Sequence, residues 1–242
     1  MKHTIVTMSD SRYFEYGKHF LETRHIMKDA ECVLFGPDIT DRQHTELTAY
    51  DIKYVQIDKH WWDTQMQMLK FWFCMTHLPA QNITFCDFDT FFCKDFSHVY
   101  DKTFDIGITI RKPFVERGRP MRAFANGGVF YIQNQGILFD ALDCIQNFGS
   151  DKIPEYDEIW KTLEENRKPE KTHNRTNFRW WVDQIFLSAL VKRKIDRRRY
   201  QNYKIELFDC EQYNHVDADY NDDKDYYMGH MKRKGAPANL KD

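Results

Sequence analysis

The sequence predicts an α/β fold, a mostly parallel central sheet flanked by helices. Three features predict it. Short runs rich in Val, Ile and Phe alternate with helical patterns through the first half of the chain. The segment from Trp61 to Leu78 is apolar on most sides, as a helix buried against a sheet would be. Finally, Phe85-Cys86-Asp87-Phe88-Asp89-Thr90-Phe91-Phe92 sets two carboxylates inside an apolar run, at the kind of strand end where open α/β sheets take ligands.

Taken in order, Thr4 to Met8 is a strand that ends at Ser9-Asp10-Ser11-Arg12-Tyr13, and a helix is expected from Phe14 to Met27. Cys32 to Phe35 is the second strand, stopped by Gly36-Pro37. Lys53 to Ile57 is the third, with an alternation suited to one wet face. In the helix over 61–78, Trp62, Met66, Leu69 and Phe73 form one apolar stripe, and Met68, Trp72 and Met75 a second. Asp63, Gln67, Lys70 and His77 are left on a narrow polar face, expected to look into a cleft or out at an edge. Pro79 ends the helix, and Asn82 to Phe92 reads as strand four. On an extended strand Asp87 and Asp89 project together while Phe88 turns into a core.

The second half is less regular. Asp105 to Arg111 is a strand, followed by a basic loop from Lys112 to Arg122. Asn126-Gly127-Gly128 reads as a turn leading directly into a strand, and a helix follows from Gly136 to Phe148. Residues 150–177 are polar and read as an insertion or flap. Trp180 to Ile195 is another buried helix, running into a basic stretch from Lys192 to Arg199. A short strand from Lys204 to Phe208, an acidic loop from Asp217 to Asp225 and a loose tail over 236–242 complete the chain.

Composition narrows the function classes. The 242 residues, 42% hydrophobic, suffice for one undivided α/β domain with a sizeable core. A formal net charge of −2 gives no long-range field for nucleic acid. The start of the chain lacks an apolar run long enough for a signal peptide, and no stretch is long enough to span a membrane. Cys32, Cys74, Cys86, Cys93, Cys144 and Cys210 show neither CxxC pairs nor regular spacing. They read as reduced, mostly buried thiols, and the expected location is cytoplasmic.

The carboxylate pair carries the chemistry. Two carboxylates so close repel each other, and burying either without a partner would be costly. A hard divalent metal carrying a phosphate ligand answers both problems, since oxygen ligands suit magnesium and manganese. This points to a metal-dependent transferase acting on a nucleotide-activated donor. The competing reading is a strand end whose aspartates cap a neighbouring helix, and Asp10 could likewise be a helix N-cap. No GxGxxG follows strand one, and no GxxxxGK[ST] occurs anywhere, which disfavours a dinucleotide-binding Rossmann site and removes the P-loop. Asn126-Gly127-Gly128 would let backbone approach a ligand, with an amide for sugar hydroxyls. Asp183-Gln184 is polar within an apolar helix and needs partners, or caps it. His230, followed by Lys232, Arg233 and Lys234, combines an imidazole with cations suited to phosphate, or is a stray histidine in a basic tail.

Read in order, Thr7-x-Ser9-Asp10-x-x-Tyr13, Asp87-x-Asp89, Asn126-Gly127-Gly128-Val129-Phe130, Asp183-Gln184 and the late His230 with its lysines span nearly the whole chain. In that order they resemble GT-A-fold glycosyltransferases, close to family-8-type enzymes such as glycogenin and bacterial lipopolysaccharide galactosyltransferases. The resemblance implies a single Rossmann-like GT-A domain, with residues 1–95 forming the nucleotide-binding half and 96–235 the donor-sugar and acceptor half. It implies that Thr7, Ser9, Asp10 and Tyr13 hold the nucleotide, with Lys232 or Lys234 on the diphosphate. Asp87, Asp89 and His230 would bind Mn2+ or Mg2+. Lys70, Asp87, Asn126, Gly127 and Gly128 would face the donor sugar, with Asp183 and Gln184 catalytic. The implied partners are a nucleotide-diphosphate sugar, UDP-linked, and a carbohydrate, lipid-linked or protein hydroxyl acceptor, with the anomeric configuration retained, whereas Asp183 acting as a general base on the acceptor hydroxyl would give inversion. Two other classes stay open, a GT-A-like nucleotidyltransferase and a catalytically silent nucleotide-sugar-binding module.

Overall fold

The computed structural model describes residues 3–76, 82–111, 115–116, 119–120, 125–134, 136–146, 182–195, 203–216 and 225–231. The polar stretch 150–177, the Trp180-Trp181 pair, Lys232 and Lys234 lie outside them, as do most of the basic and acidic loops and the tail.

The first half alternates as the sequence predicts. Strand β1 (His3–Met8) pairs in parallel with β2 (Ala30–Gly36), and β2 with β3 (Ile52–Gln56). The segment predicted as one helix over 14–27 is instead three pieces, a 3-10 turn at Phe14–Gly17, α1 (Lys18–Thr23) and a second 3-10 turn at Arg24–Ile26. Tertiary contacts break it. A Cβ on Gly17 would stand 2.0 Å from the Phe88 ring, and the Thr23 hydroxyl bonds back to the His19 carbonyl while accepting the Phe92 N–H at 2.9 Å. One helix escaped the sequence reading altogether, α2 (Asp41–Ala49). Its N-terminus carries a capping box, in which Thr40 accepts the Gln43 N–H and the Gln43 side chain accepts the Thr40 N–H. The T-x-x-Q signal was there to be read.

Helix α3 (Lys59–Thr76) crosses one face of the sheet. Trp62, Leu69, Phe71 and Phe73 are buried, and Phe73 stacks on Phe35 of β2 with centroids 4.1 Å apart. The second predicted stripe is only partly inside, since Trp72 is 44% exposed. The polar face divides too. Asp63 is in solvent, whereas Lys70, two turns further on, is buried.

The expected strand over 82–92 is two strands. Strand β4 (Ile83–Cys86) lies in the central sheet and β5 (Thr90–Phe92) leaves it. Between them the chain turns, the Thr90 N–H and hydroxyl both returning to the Asp87 carbonyl. Asp87 and Asp89 are therefore brought together by a turn and not by the pleat of one strand. Phe88 is buried, as expected.

Strand β6 (Ile106–Ile110) and the two-residue hairpin strands β7 (Val115–Glu116) and β8 (Arg119–Pro120) precede β9 (Ala125–Ile132). The glycine pair lies inside β9, not in a turn before it. Helix α4 (Gly136–Gln146) and helix α5 (Val182–Ile195) pack on the α3 side, followed by β10 (Ile205–Asp209). Among the described residues, seven strands form the central sheet in the order β10-β6-β9-β4-β1-β2-β3. All neighbours are parallel except β9, which runs antiparallel to both β4 and β6. A short helix α6 (Cys210–Tyr213) leads to β11 (His215–Val216), and β12 (Met228–His230) joins β11 to β5 in a second, three-stranded sheet.

The sheet is buried on both faces, and alternation sorts its side chains. Val6, Val33, Phe85 and Phe130 face the α3–α5 layer, while their neighbours Ile5, Leu34, Cys86 and Tyr131 face α1 and β5. The described cysteines are free thiols, four of the five buried. No described helix is long and apolar enough to cross a membrane.

The Thr23 hydroxyl ties α1 to β5, so Thr23→Val strands the buried Phe92 N–H. Chemical denaturation should show a loss of about 1–3 kcal/mol.

Candidate functional site

The site forms where β4 ends. Because β9 runs antiparallel, its beginning lies beside that end, and the Asp87 N–H donates to the Gly128 carbonyl at 2.8 Å. The turn after β4 presents Asp87 and Asp89. Strand β12, paired to β5 with His230 opposite Thr90, brings His230 from the far end of the chain. One ligand atom from each of Asp87, Asp89 and His230 lies within 4.8 Å of the others. His230 Nε2 is 3.1 Å from Asp89 Oδ1 and 3.9 Å from Asp87 Oδ2.

Behind this trio is a buried cation. Lys70 Nζ is 3.0 Å from Asp87 Oδ1 and 3.1 Å from Asp183 Oδ2, and it also donates to the Gly127 carbonyl. Side-chain exposure falls from 28% at Asp87 and 24% at Asp89 to 7% at Lys70 and 2% at Asp183. The aspartate pair is thus the mouth of the site and Lys70–Asp183 its floor. Burial alone would lower the Lys70 pKa, but Asp183 and Asp87 more than offset it and hold the ammonium well above its ordinary value. Burial raises the Asp183 carboxyl, which has to share Lys70 with Asp87. Both shifts point upward because one ammonium faces two carboxylates. Asp89 goes the other way, since burial would raise it but the His230 imidazole pulls it below the usual carboxylate range.

The two glycines are what let these groups meet. A Cβ on Gly127 would fall 2.2 Å from Asp183 Oδ2, and one on Gly128 would fall 2.8 Å from His230 Cε1 and 2.9 Å from Asp87 Oδ2. Adjacent strand residues point to opposite faces, so one glycine clears the Lys70–Asp183 side and the other the Asp87–His230 side. The Asn126 Oδ1 accepts the Gly128 N–H and holds this stretch, where the β6–β9 register shifts between Ile108 and Ile110.

Three predicted site residues carry a buried polar atom without a partner among the described residues, Thr7 Oγ1, Asn126 Nδ2 and Gln184 Oε1. Such atoms are rare in folded proteins and each costs on the order of 1–3 kcal/mol, and His3, Arg24 and Tyr131, which are not predicted site residues, carry them as well. The remaining predicted nucleotide contacts are placed differently. Asp10 is buried and accepts the N–H groups of Arg12 and Tyr13, which serves the turn after β1. The Ser9 hydroxyl donates to the Asp10 carbonyl. Tyr13 is exposed beside Tyr16. Asp183 lies in the first turn of α5, where its Oδ1 accepts the Gln184 N–H at 2.7 Å.

One residue of the site was not singled out from sequence. Asn214 is fully buried just after α6, with Oδ1 3.0 Å from His230 Nδ1. Nothing local marks it, because only the fold brings it to His230.

The donor set suits a hard divalent ion. Two carboxylate oxygens and an imidazole nitrogen in reach of one point could hold such an ion and leave coordination positions open. Three carboxylates against one ammonium also leave the site short of positive charge.

No family model matches the sequence, and no curated protein matches it. Solved structures do match, over nearly the whole chain. An active-site mutant of LgtC gives a TM-score of 0.56 at 12% identity, covering 95% of this chain and 87% of that one. The galactosyltransferase LgtC in complex with donor and acceptor sugar analogues gives 0.54 at 11% identity over the same shares. A glycosyltransferase involved in glycosylation of the major capsid of PBCV-1 gives 0.50 at 10% identity, covering 98% and 95%. The chain has the GT-A glycosyltransferase fold.

Removing the buried cation should be costly. Lys70→Met is expected to destabilise by about 3–5 kcal/mol in denaturant titrations, with part recovered when Asp183→Asn removes the stranded charge.

Proposed function

We propose that the protein is a metal-dependent glycosyltransferase that moves a sugar from a nucleotide-diphosphate donor, UDP-linked, to a hydroxyl acceptor with retention of anomeric configuration. The observation that carries this reading is the Asp87–Asp89–His230 cluster at the mouth of a GT-A fold, backed by a buried lysine and a third carboxylate. The manganese or magnesium held by those three residues would neutralise the donor diphosphate and the charge that builds on it as the glycosidic bond breaks.

Placement supports the other proposed roles. Lys70, held charged between Asp87 and Asp183, faces the donor sugar and keeps a positive charge at the floor of the site. Asp183 and Gln184 line the reacting sugar. Asp183 is already fixed by Lys70 and the Gln184 N–H, and Gln184 Oε1 is free to accept from a sugar hydroxyl. Gly127 and Gly128 allow close approach, and Asn126 supplies an amide. Tyr13 offers an exposed ring for the base, with Thr7, Ser9 and Asp10 behind it. Lys232 and Lys234 are assigned to the diphosphate on their sequence position after His230. In this reading residues 1–95 form the nucleotide-binding half of one domain and 96–235 the donor-sugar and acceptor half. Reduced, buried cysteines agree with a cytoplasmic setting.

The LgtC complex with donor and acceptor analogues supports a two-substrate site of this kind. The acceptor is a carbohydrate, lipid-linked or protein hydroxyl.

The test is hydrolysis of a panel of nucleotide sugars by the purified protein with Mn2+, with Mg2+ and with chelator. Release of one nucleotide should require metal and fall at least 100-fold in Asp89→Asn. Thermal stabilisation by a nucleotide without any release would make the protein a binding module. No response to any nucleotide sugar would overturn the reading.

A further inference from the structure

We infer that Asn214 is a positioning residue that fixes the His230 imidazole with a hydrogen on Nδ1, so that Nε2 is the nitrogen turned toward Asp87 and Asp89. The inference rests on the metal reading of that cluster for its purpose, though not for its geometry.

Backbone carbonyls can only accept hydrogen bonds. The Thr109 hydroxyl lies 2.8 Å from the Val129 carbonyl and 3.2 Å from the Asn126 carbonyl, so its single proton is committed to them. What Thr109 offers its other neighbours is a lone pair. Those neighbours are the Cys210 thiol and, 3.5 Å away, the Asn214 side chain, and the latter therefore presents its NH2 group. With the amide orientation set, Oδ1 is the atom that faces His230, at 3.0 Å from Nδ1. An amide oxygen only accepts, so Nδ1 carries a hydrogen and donates it. Asn214, Thr109 and His230 are all buried, which leaves little water to substitute for any link.

The consequence lies at the other nitrogen. Nε2 stands 3.1 Å from Asp89 Oδ1 and 3.9 Å from Asp87 Oδ2. Without an ion Nε2 can carry a proton and donate it to Asp89, and a divalent ion between these groups would take the place of that proton. Ligand histidines are commonly fixed in this way through their second nitrogen. Here the partner is an amide, and its orientation is set by the Asn126 and Val129 carbonyls on either side of the glycine pair. The stretch of β9 that makes room for the ligands thus also orients one of them.

Two readouts on the full chain test this, neither relying on turnover. Nitrogen-15 NMR of the histidines in metal-free protein should show a slowly exchanging hydrogen on His230 Nδ1 in wild type and in Asn214→Asp, whose carboxylate also accepts. In Asn214→Leu that protection should be lost. Calorimetric titration with Mn2+ alone should show affinity about 10–100-fold weaker in Asn214→Leu and within a few-fold of wild type in Asn214→Asp. Thr109→Val, which frees the amide to turn over, should weaken binding measurably, and it decides the matter if Asn214→Leu does not fold. A wild-type His230 with no hydrogen on Nδ1, or unchanged Mn2+ affinity in both Asn214→Leu and Thr109→Val, would overturn the inference. Wild type that binds no Mn2+ would overturn the metal reading instead, and the NMR result would still decide the role of Asn214.

Discussion

A lysine ammonium between two carboxylates, closed off from water at the end of a parallel strand, constrains most of what surrounds it. Lys70 reaches its place only because α3 is apolar enough to be drawn onto the sheet, with Phe73 stacked on Phe35 and Phe71 beside Phe130. Once there, it needs Asp183 and Asp87 within about 3 Å, and both depend on positions in β9 that cannot carry a side chain. A buried charge left alone is far costlier than a missed contact between apolar groups, so this cluster dictates local geometry more strictly than the core does.

The mouth of the site obeys a second constraint. Asp87 and Asp89 lie in the turn that carries the chain out of the central sheet, and that exit is fixed by where β5 must go. Strand β5 is held by α1 on one side, through Thr23, and by β12 on the other. The same pairing sets His230 opposite Thr90, and Gly229 gives the Phe91 ring the room it needs, since a Cβ there would lie 2.3 Å from it. A small sheet of three short strands therefore does for Asp87, Asp89 and His230 what the large sheet does for the core. The extra positive charge the cluster needs is met by an ion in the proposed glycosyl transfer, with Asn214 holding the imidazole in register.

Much of the fold was legible because it rests on local pattern. The first three strands, α3 and the strand ends that gather the site all follow from apolar period and from Gly-Pro punctuation. The failures were of two kinds. Helix α2 is polar and short, and its signal was a capping box at Thr40 and Gln43 and not a hydrophobic stripe. The predicted helix over 14–27 and the predicted strand over 82–92 were each broken by contacts from elsewhere, Gly17 under Phe88 and the Asp87 turn under β9. Trp72, assigned inward by its stripe, is exposed for the same kind of reason, because periodicity gives the faces of a helix but not how much of each is covered.

The sequence by itself determined which residue types could serve, namely carboxylates inside an apolar run, a lysine on an otherwise greasy helix, paired glycines, and a histidine late in the chain. Those choices are visible because each breaks the local pattern at a cost that something must offset. Only the tertiary structure decided that Lys70 answers Asp183 as well as Asp87, that Gly127 and Gly128 serve opposite faces, and that Asn214 belongs to the site at all. Charge and hydrogen-bond complementarity act over a few ångströms, and residues 70, 87, 183, 214 and 230 come within that range only after the strands have found their order.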